Sequence, residues 1–392
     1  MHIVIADDLT GAAEIAGVGL SRGLKSVVTT TVNGAVDCDL WCLATDTRSS
    51  KNEAAGLTTG IYSRQLLALQ PNIFYKKVDS VLRGNVMPEC EAFAGAQGLD
   101  KAIIVPANPS LNRFIRDGIY YIGDIPLAEA NLIRNAKGSS RLLDMINPAY
   151  RERTKIIKSP SEMEDPGLYI GEVAAYSDLF KWASLLKEPV ALCGGSDFFD
   201  ALLEVQFMGS QNGNGREIPF GKRQLFILGS AARQHESTLR QETEDQAVVS
   251  NMPLEIFASS TFHPEVLKEW IAAIRRIFDV SNRVVITMHH HNLPYEERPH
   301  LKLVLGELVK AILQEIIIDE LFVEGGATSY AILNKLQVNQ LVPVQNLARG
   351  VTRMEIDNYK LMKMTVKPGS YQWPESVWPR LKDLQLLPKL NS

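Results

Sequence analysis

The sequence predicts an α/β fold with two domains, each a mainly parallel sheet with flanking helices. Two observations predict it. Short apolar runs alternate with amphipathic stretches from end to end, which is the pattern of strands connected by helices. The chain also has 392 residues, more than one typical domain of about 150 residues.

The domain boundary is predicted at residues 208–216, a stretch rich in Gly, Asn and Ser that has no apolar periodicity. Such a composition is typical of a linker or a crossing loop. We therefore expect a first domain at residues 1–207, a linker at 208–223 and a second domain at 224–392.

In the first domain, apolar runs predict strands and periodic stretches predict helices. The predicted strands are His2 to Ala6, Lys25 to Val32, Leu40 to Ala44, Asn72 to Val78, Lys101 to Pro106, Arg153 to Lys158 and Pro189 to Cys193. The predicted helices are Gly11 to Leu20, Asn52 to Leu69, Asn85 to Gln97, Leu179 to Lys187 and Asp197 to Gln206.

The same alternation restarts in the second domain. The predicted strands are Gln224 to Leu228, Arg283 to Met288, Glu320 to Val323 and Tyr359 to Val366. The predicted helices are Gln234 to Thr243, His263 to Phe278, Leu301 to Glu315 and Ser329 to Leu336.

Charge and composition exclude several classes of partner. Lys and Arg number 41 against 45 for Asp and Glu, a formal charge of −4, so no basic excess points to nucleic acid or an anionic membrane. The apolar runs are shorter than the roughly 18 residues of a membrane helix, and no secretory signal pattern follows Met1. Four scattered cysteines suit a reducing cytoplasm rather than disulfides or zinc. We expect a cytoplasmic protein and leave a homodimer open.

The first candidate site is Ala6-Asp7-Asp8-Leu9-Thr10-Gly11-Ala12, which follows a predicted strand and opens a helix. Ligands of open α/β sheets bind beyond the carboxyl ends of strands, so two carboxylates, a hydroxyl and a glycine suit a ligand here. A simple helix N-cap would explain Asp8 or Thr10, but not all of these residues. A dehalogenase-type phosphatase needs Asp-x-Asp, and the adjacent Asp7 and Asp8 count against that mechanism.

A second candidate site runs from Lys76 to Asn85, again at a strand end. Period-two alternation would put Lys77 and Asp79 on one face of the strand, and Arg83 offers a planar fork of donors suited to a carboxylate. Arg48, in the polar run after the third strand, either meets the same ligand or belongs to a helix N-cap. These residues predict a cradle for a small anion, with a solvated charge cluster as the alternative.

Three strand ends of the second domain terminate in glycine turns. They are Gly229-Ser230, Glu324-Gly325-Gly326-Ala327-Thr328-Ser329 and Lys367-Pro368-Gly369-Ser370. Glycines let the backbone approach a polyphosphate, and helix N-terminal amides favour negative charge. We expect one nucleotide pocket here, although Gly-Gly turns also occur without a ligand. The chain has neither a Walker loop nor a dinucleotide fingerprint, which disfavours a P-loop site and a dehydrogenase.

The histidines His289, His290, His291 and His300 raise the question of a metal site. Consecutive side chains on an extended segment point to opposite faces and rarely converge on one ion. We interpret this run as a polar loop and assign no metal ligands.

The motifs at residues 6–12 and 77–85 together resemble the four-carbon acid sugar kinase family. The resemblance covers nearly the whole chain, because further markers follow in order. They are Pro106-Ala107-Asn108-Pro109, Asp117-Gly118, Gly229-Ser230, Gly325-Gly326-x-Thr328 and Lys367-x-Gly369. The resemblance implies an ATP-dependent kinase that phosphorylates a hydroxyl of a small sugar acid such as threonate, erythronate or 3-oxo-tetronate. Its chemistry calls for Mg²⁺ bridging the ATP phosphates.

The resemblance also implies an acid pocket in the first domain, an ATP site in the second and an active site in the inter-domain cleft. The acid pocket would be lined by Asp7, Asp8, Arg48, Lys77, Asp79, Ser80, Arg83 and Gly84. The nucleotide would contact Ser230, Gly325, Gly326, Ala327, Thr328 and Gly369. Within the acid pocket, Asp8 or Asp79 would accept the proton of the attacking hydroxyl. The cations, with Arg83 as the catalytic one, would hold the substrate carboxylate or neutralise the transferred phosphoryl group.

Three positions depart from the family's usual pattern. Val81 stands where the family has a Thr, Asn112 where it has a Gly before the Arg, and Ala327 where it has an acidic residue. The first two bear on the identity of the acid, and the third on magnesium or ribose contacts. A kinase for a variant sugar acid and a non-catalytic sensor of sugar acid or nucleotide therefore remain as alternatives.

Overall fold

The computed structural model describes residues 1–34, 36–130, 138–207, 218–229, 247–258, 263–288, 299–357, 359 and 362–378. Its strands are β1 (His2–Ala6), β2 (Ser26–Thr29), β3 (Leu40–Ala44), β4 (Phe74–Lys77), β5 (Lys101–Val105), β6 (Arg113–Arg116), β7 (Ile119–Ile122), β8 (Ile125–Pro126), β9 (Thr154–Ile157), β10 (Gly167–Gly171), β11 (Ala191–Gly194), β12 (Gln224–Leu228), β13 (Ala247–Asn251), β14 (Arg283–Thr287), β15 (Glu320–Glu324), β16 (Gln340–Ala348), β17 (Val351–Ile356) and β18 (Lys363–Lys367).

The α-helices of the described residues alternate with these strands. They are α1 (Leu9–Ser21), α2 (Asn52–Leu67), α3 (Val86–Ala96), α4 (Leu142–Met145), α5 (Asp178–Ala183), α6 (Ser196–Phe207), α7 (Leu254–Ala258), α8 (Pro264–Val280), α9 (Pro299–Glu315) and α10 (Gly326–Leu336). No helix in these parts of the chain has the length and apolar character needed to cross a membrane.

Fifteen of the described strands form one sheet, in the order β13-β14-β12-β15-β18-β17-β16-β2-β3-β1-β4-β11-β5-β10-β9. The five strands at one end and the eight at the other are parallel within their groups, which confirms the predicted mainly parallel α/β architecture. The antiparallel hairpin β16–β17 connects the two groups. It pairs with the first group through Gln340 opposite Thr29 and Leu341 opposite Val28.

Most predicted elements occur within a few residues of the expected bounds, and several strands were missed. The predicted last strand, Tyr359 to Val366, starts only at Lys363, and the predicted helix at 234–243 lies outside the described residues. The missed strands are β6, β7, β8, β10, β13, β16 and β17. In the β16–β17 hairpin, Pro343 and the polar Gln345 interrupt the apolar alternation, which hides the strand signal.

The sheet brings two rows of strand ends to its carboxyl edge. In the first half of the chain (residues 1–207), β1 lies between β3 and β4, so Ala6 is the register partner of both Ala44 and Lys77. In the second half (from residue 218 onward), β15 lies between β12 and β18, so Glu324 is the partner of Leu228 and Lys367. All the motifs singled out in the sequence as ligand sites follow one of these six strand ends, where open α/β sheets bind ligands.

Arg353, one member of a buried ion pair, connects the start of the second half to this sheet. Arg353 on β17 is 1% exposed and pairs with Glu320 on β15. Its Nη1 donates to the Ile218 carbonyl at 2.7 Å, and its Nη2 donates to the Pro219 carbonyl at 3.0 Å. Removing one partner of a buried pair leaves the other charge uncompensated.

We therefore expect Arg353→Met to lower the free energy of unfolding in urea by about 3 kcal/mol. Lys155→Met is the control, because Lys155 pairs with Asp165 through side chains that are 56% and 70% exposed. The control should lose less than about 1 kcal/mol. Equal losses in the two variants would show that the buried Arg353–Glu320 pair stabilises the fold no more than the exposed Lys155–Asp165 pair does.

Candidate functional site

Two adjacent carboxylates, Asp7 and Asp8, follow β1 and make different contacts. Asp8 is the N-cap of α1: its Oδ1 accepts a hydrogen bond from the Gly11 backbone N–H at 2.7 Å, and its Oδ2 accepts one from Thr10 Oγ1 at 2.8 Å. Capping therefore explains Asp8 and Thr10. It does not explain Asp7, which is 2% exposed and makes no cap contact.

Arg48, beyond the end of β3, contacts both of these carboxylates. Its Nε and Nη2 donate to the two oxygens of Asp7 at 2.7 and 2.8 Å, and its Nη1 donates to Asp8. The N-cap of α2 is Lys51, so the cap interpretation of Arg48 is wrong. Burial alone would raise the pKa of Asp7, but the Arg48 charge holds that pKa below its usual range.

Asp79 and Arg83 form the next part of the same cluster. Asp79 Oδ1 accepts hydrogen bonds from the backbone N–H groups of Val81 and Arg83 at 3.1 Å, and the Arg83 guanidinium donates to both carboxylate oxygens at 3.0 and 2.6 Å. Burial opposes ionisation, yet Arg83 holds the pKa of Asp79 well below its usual range. Arg48 Nη1 lies 3.7 Å from Asp79 Oδ2, so one guanidinium joins three carboxylates.

Lys77 is not placed as the alternation predicted. β4 ends at Lys77, so Asp79 lies beyond the strand and the two residues do not share a strand face. Lys77 is 3% exposed, and its Nζ lies 3.1 Å from Glu14 Oε2 on α1. Although burial would raise the pKa of Glu14, Lys77 keeps it below the usual value. Sequence reasoning missed Glu14, whose position on an apolar helix gives no local signal.

Gly84 and Asn85 fasten the loop after β4 to the loop after β3. Gly84 has φ +82°, and a Cβ there would stand 3.0 Å from Arg48 Cγ and 3.2 Å from the Arg48 carbonyl oxygen. Asn85 Nδ2 donates to the carbonyls of Thr47 and Ser50 at 2.8 and 3.0 Å. The loops that carry Arg48 and Arg83 are therefore held in one arrangement.

In the second half, the predicted glycine turn caps α10. Gly325 is the N-cap with φ +101°, and its N–H donates to the Lys367 carbonyl at 2.9 Å. Ala327 and Thr328 lie in the first turn of α10, and a Cβ at Gly229 would overlap the Thr328 side chain. The turns after β12, β15 and β18 thus meet, as expected. Ser230 lies outside the described residues.

Lys367 is a buried support for the turn that contains Gly369. Its Nζ lies 2.8 Å from Glu324 Oε2 and donates to the carbonyls of Pro368 and Tyr371 at 3.1 and 2.7 Å. Burial lowers the pKa of Lys367, and the Glu324 carboxylate opposes that shift. These contacts tie the segment around Gly369 to the end of β15.

The two predicted sites are adjacent. A Cβ added at Gly326 would overlap the Asp8 carboxylate and would lie 3.1 Å from Thr10 Oγ1. The N-terminus of α10 therefore faces the N-terminus of α1, with the Asp8 carboxylate between them. Partial positive charge at both helix ends favours an anion at this junction.

Two further site residues were missed. Arg113, the first residue of β6, donates to Ser80 Oγ, and its guanidinium lies 4.9 Å from the centre of the Tyr371 ring. Tyr371 Oη in turn donates to Glu14 Oε1 at 3.0 Å. Asn112 has φ +56°, a left-handed conformation that Asn tolerates better than most residues.

Asp46 is a partly buried carboxylate whose charge interacts with those of Arg48 and of Lys302 on α9. The pKa of Asp46 is raised to about 6, mainly by burial. The positive charges of Lys302 and Arg48 oppose this shift, and the negative charges of Asp8 and Asp7 add to it.

Among the described residues, no group of three His, Cys, Asp or Glu side chains is arranged to hold a metal ion. Of the histidine run, residues 289–291 lie outside the described residues, and His300 belongs to α9.

Comparison with known proteins relates this chain to sugar-acid kinases. Residues 2–177 match the family described as the sugar-binding N-terminal domain. A D-erythronate kinase of Heliobacterium modesticaldum is 33% identical over 144 residues, which are 34% of this chain and 32% of the relative. A 3-oxo-tetronate kinase of Haemophilus influenzae is 28% identical over 262 residues, 58% of this chain and 61% of the relative. The alignments thus span 32% and 61% of the length of these two relatives.

Matches over most of the chain exist at lower identity. A 3-oxo-tetronate kinase of Methylobacterium radiotolerans is 23% identical over 386 residues, 88% of this chain and 90% of the relative. The solved structure of a Salmonella typhimurium LT2 protein superposes with a TM-score of 0.75 at 19% identity, over 97% of this chain and 98% of that one. The structure of a Haemophilus influenzae DUF1537 protein gives 0.65 at 18% identity, over 94% and 96%. The solved structures show the same fold.

We expect Gly84→Ala to lower the free energy of unfolding by about 3 kcal/mol, because a left-handed backbone and a close approach to Arg48 both oppose a side chain. Gly98→Ala is the matched control, since Gly98 has φ +70° with nothing within 4 Å of its Cβ position. Urea unfolding should give a loss of about 1 kcal/mol for this control. If Gly84→Ala lowers the free energy of unfolding no more than Gly98→Ala does, the close packing of Gly84 against Arg48 is contradicted.

The raised pKa of Asp46 predicts a pH-dependent stability. Because the folded-state pKa lies above the unfolded value, ionisation of Asp46 costs stability as the pH rises from about 4 to 7. Asp46→Asn removes that cost, so its stability relative to wild type should improve by about 1 kcal/mol between pH 4 and pH 7.5. Urea unfolding at the two pH values checks this, and a pH-independent difference would contradict the raised pKa.

Proposed function

We propose that this chain, whose residues 2–177 match the sugar-binding N-terminal domain, is a four-carbon acid sugar kinase. It would transfer the γ-phosphoryl group of ATP to a hydroxyl of a small sugar acid. Threonate, erythronate and 3-oxo-tetronate are the acids named for the relatives. We retain residues 1–207 as the acid-binding domain and 224–392 as the nucleotide-binding domain.

The observation that carries this proposal is the contact between Gly326 and Asp8. A kinase must bring the last phosphate of a nucleotide to the hydroxyl of a second substrate. Here the glycine-capped N-terminus of α10, from the nucleotide side, lies directly against the acidic cluster after β1. A nucleotide on Gly325, Gly326 and Thr328 would direct its phosphates at this cluster.

Asp8 is our choice for the group that accepts the proton of the attacking hydroxyl. It lies at the junction of the two halves, whereas the Asp79 carboxylate accepts three hydrogen bonds from Arg83 and one from the Val81 N–H. Asp79 therefore suits the role of holding Arg83. Arg83 has a side chain that is 40% exposed, and it can neutralise charge on the transferred phosphoryl group.

Magnesium would be held mainly by the phosphates of the nucleotide. Mg²⁺ keeps several of its waters and usually takes one or two protein carboxylates, so the lack of a three-ligand cluster among the described residues fits this mode. The ion would neutralise charge on the β- and γ-phosphates.

The test is ADP release from ATP and Mg²⁺ with a panel of four-carbon and branched sugar acids. We expect turnover with at least one of the acids, and a fall of about 100-fold in kcat for Asp8→Asn, which removes the proton acceptor. Asp37→Asn is the control, because the Asp37 side chain is 97% exposed.

An Asp8→Asn variant with the wild-type rate would show that the proton acceptor is another group. Asp79→Asn then becomes the next variant. If acids raise the thermal stability of the wild-type protein and no acid releases ADP, the protein is a sensor and the kinase proposal fails.

A further inference from the structure

Arg113 is a buried cation that the sequence did not assign to the site. It is 6% exposed at the start of β6, beside Ser80 in the loop that carries Asp79. Within the described residues, no carboxylate oxygen lies within ion-pair distance of its guanidinium, and only its Nη1 has a hydrogen-bond partner.

The cations predicted for the acid pocket differ from Arg113 in this respect. Arg48 pairs with Asp7 and Asp8, Arg83 with Asp79, and Lys77 with Glu14. Their charges are matched by carboxylates of the chain itself. An added substrate carboxylate would have to compete with those partners.

Asp79 and Glu14 favour the charged guanidinium of Arg113 from beyond ion-pair distance. A buried charge without a directly paired counter-charge is still costly, so such a group pairs with an ion or binds a ligand that supplies one. The Tyr371 ring, 4.9 Å from the guanidinium carbon, offsets part of that cost through its π face. Ser80 Oγ accepts one hydrogen bond from Nη1. The remaining N–H donors form a planar fork that matches a carboxylate.

We propose that Arg113 binds the carboxylate of the substrate and thereby selects a hydroxy acid over the corresponding neutral polyol. This inference rests on the proposed function for the class of ligand. It assigns the substrate carboxylate to Arg113 instead of to Arg48, Lys77 and Arg83. Those three residues then serve the transferred phosphoryl group and the order of the loops.

Tyr371 gives this anchor a link to the nucleotide side. It follows the Lys367 to Ser370 turn, supports the Arg113 guanidinium with its ring, and donates from its Oη to Glu14. The position of Arg113 therefore depends on a segment from the second half of the chain.

The experiment measures binding by calorimetry without ATP, so that it does not depend on catalysis. The probes are D-threonate, D-erythronate and 3-oxo-tetronate, with threitol and erythritol as neutral analogues. We expect Arg113→Gln to weaken binding of the acid about 10- to 100-fold, because a charge-assisted fork of hydrogen bonds is lost. Affinity for an ATP analogue should change less than about twofold. The preference for acid over polyol should fall by the same factor as the acid affinity.

The matched control is Arg116→Gln, which makes the same substitution at the other end of β6, where the side chain is 38% exposed. This control should keep wild-type affinity. Arg113→Lys keeps the charge without the fork and should give an intermediate loss. Circular dichroism verifies folding. If Arg113→Gln is unfolded, the acid affinity of Arg113→Lys tests the proposal instead.

The inference is overturned if a folded Arg113 variant binds the acid as wild type does, or if the wild-type protein does not prefer the acids to the polyols. If wild type binds the acid through Arg113 and releases no ADP, the anchor stands and the kinase proposal fails. If ADP is released and Arg113 variants keep the acid affinity, the kinase proposal stands and the anchor fails.

Discussion

The site depends on one guanidinium that lies among three buried carboxylates and attracts all of them. Arg48 contacts Asp7 and Asp8 and lies near Asp79, and these three acids come from the ends of two neighbouring strands. Without this charge they would repel one another in surroundings that water screens poorly. The same contacts fix the loops in one arrangement before a ligand binds, and phosphoryl transfer relies chiefly on such prior alignment.

The local parts of the fold were predictable, and the non-local parts were not. Parallel strands that are buried on both faces have continuous apolar sequences. The bounds of β1, β3 and β12 were therefore predicted to the residue. The β16–β17 hairpin contains a proline and several polar residues, and its pairing with β2 joins positions about 310 residues apart. No window of sequence holds the information that makes it a strand.

The candidate site divides in the same way. Asp8, Arg48, Asp79 and Arg83 stand in short polar motifs at strand ends, where the edge of a parallel sheet gathers them. Glu14, Arg113 and Tyr371 are single residues in a helix, a small antiparallel sheet and a turn. Their importance comes from contacts with Lys77, Ser80 and one another, which only the folded chain creates.

The pairing of β16 with β2 means that the edge of the eight-stranded parallel group is covered by residues that come after position 339. A chain cut at residue 207 would present the backbone donors and acceptors of β2 as an open sheet edge, the kind of surface through which proteins aggregate. The same edge is open on the ribosome until β16 has emerged. The two halves are thus distinct in their proposed ligands but share one sheet.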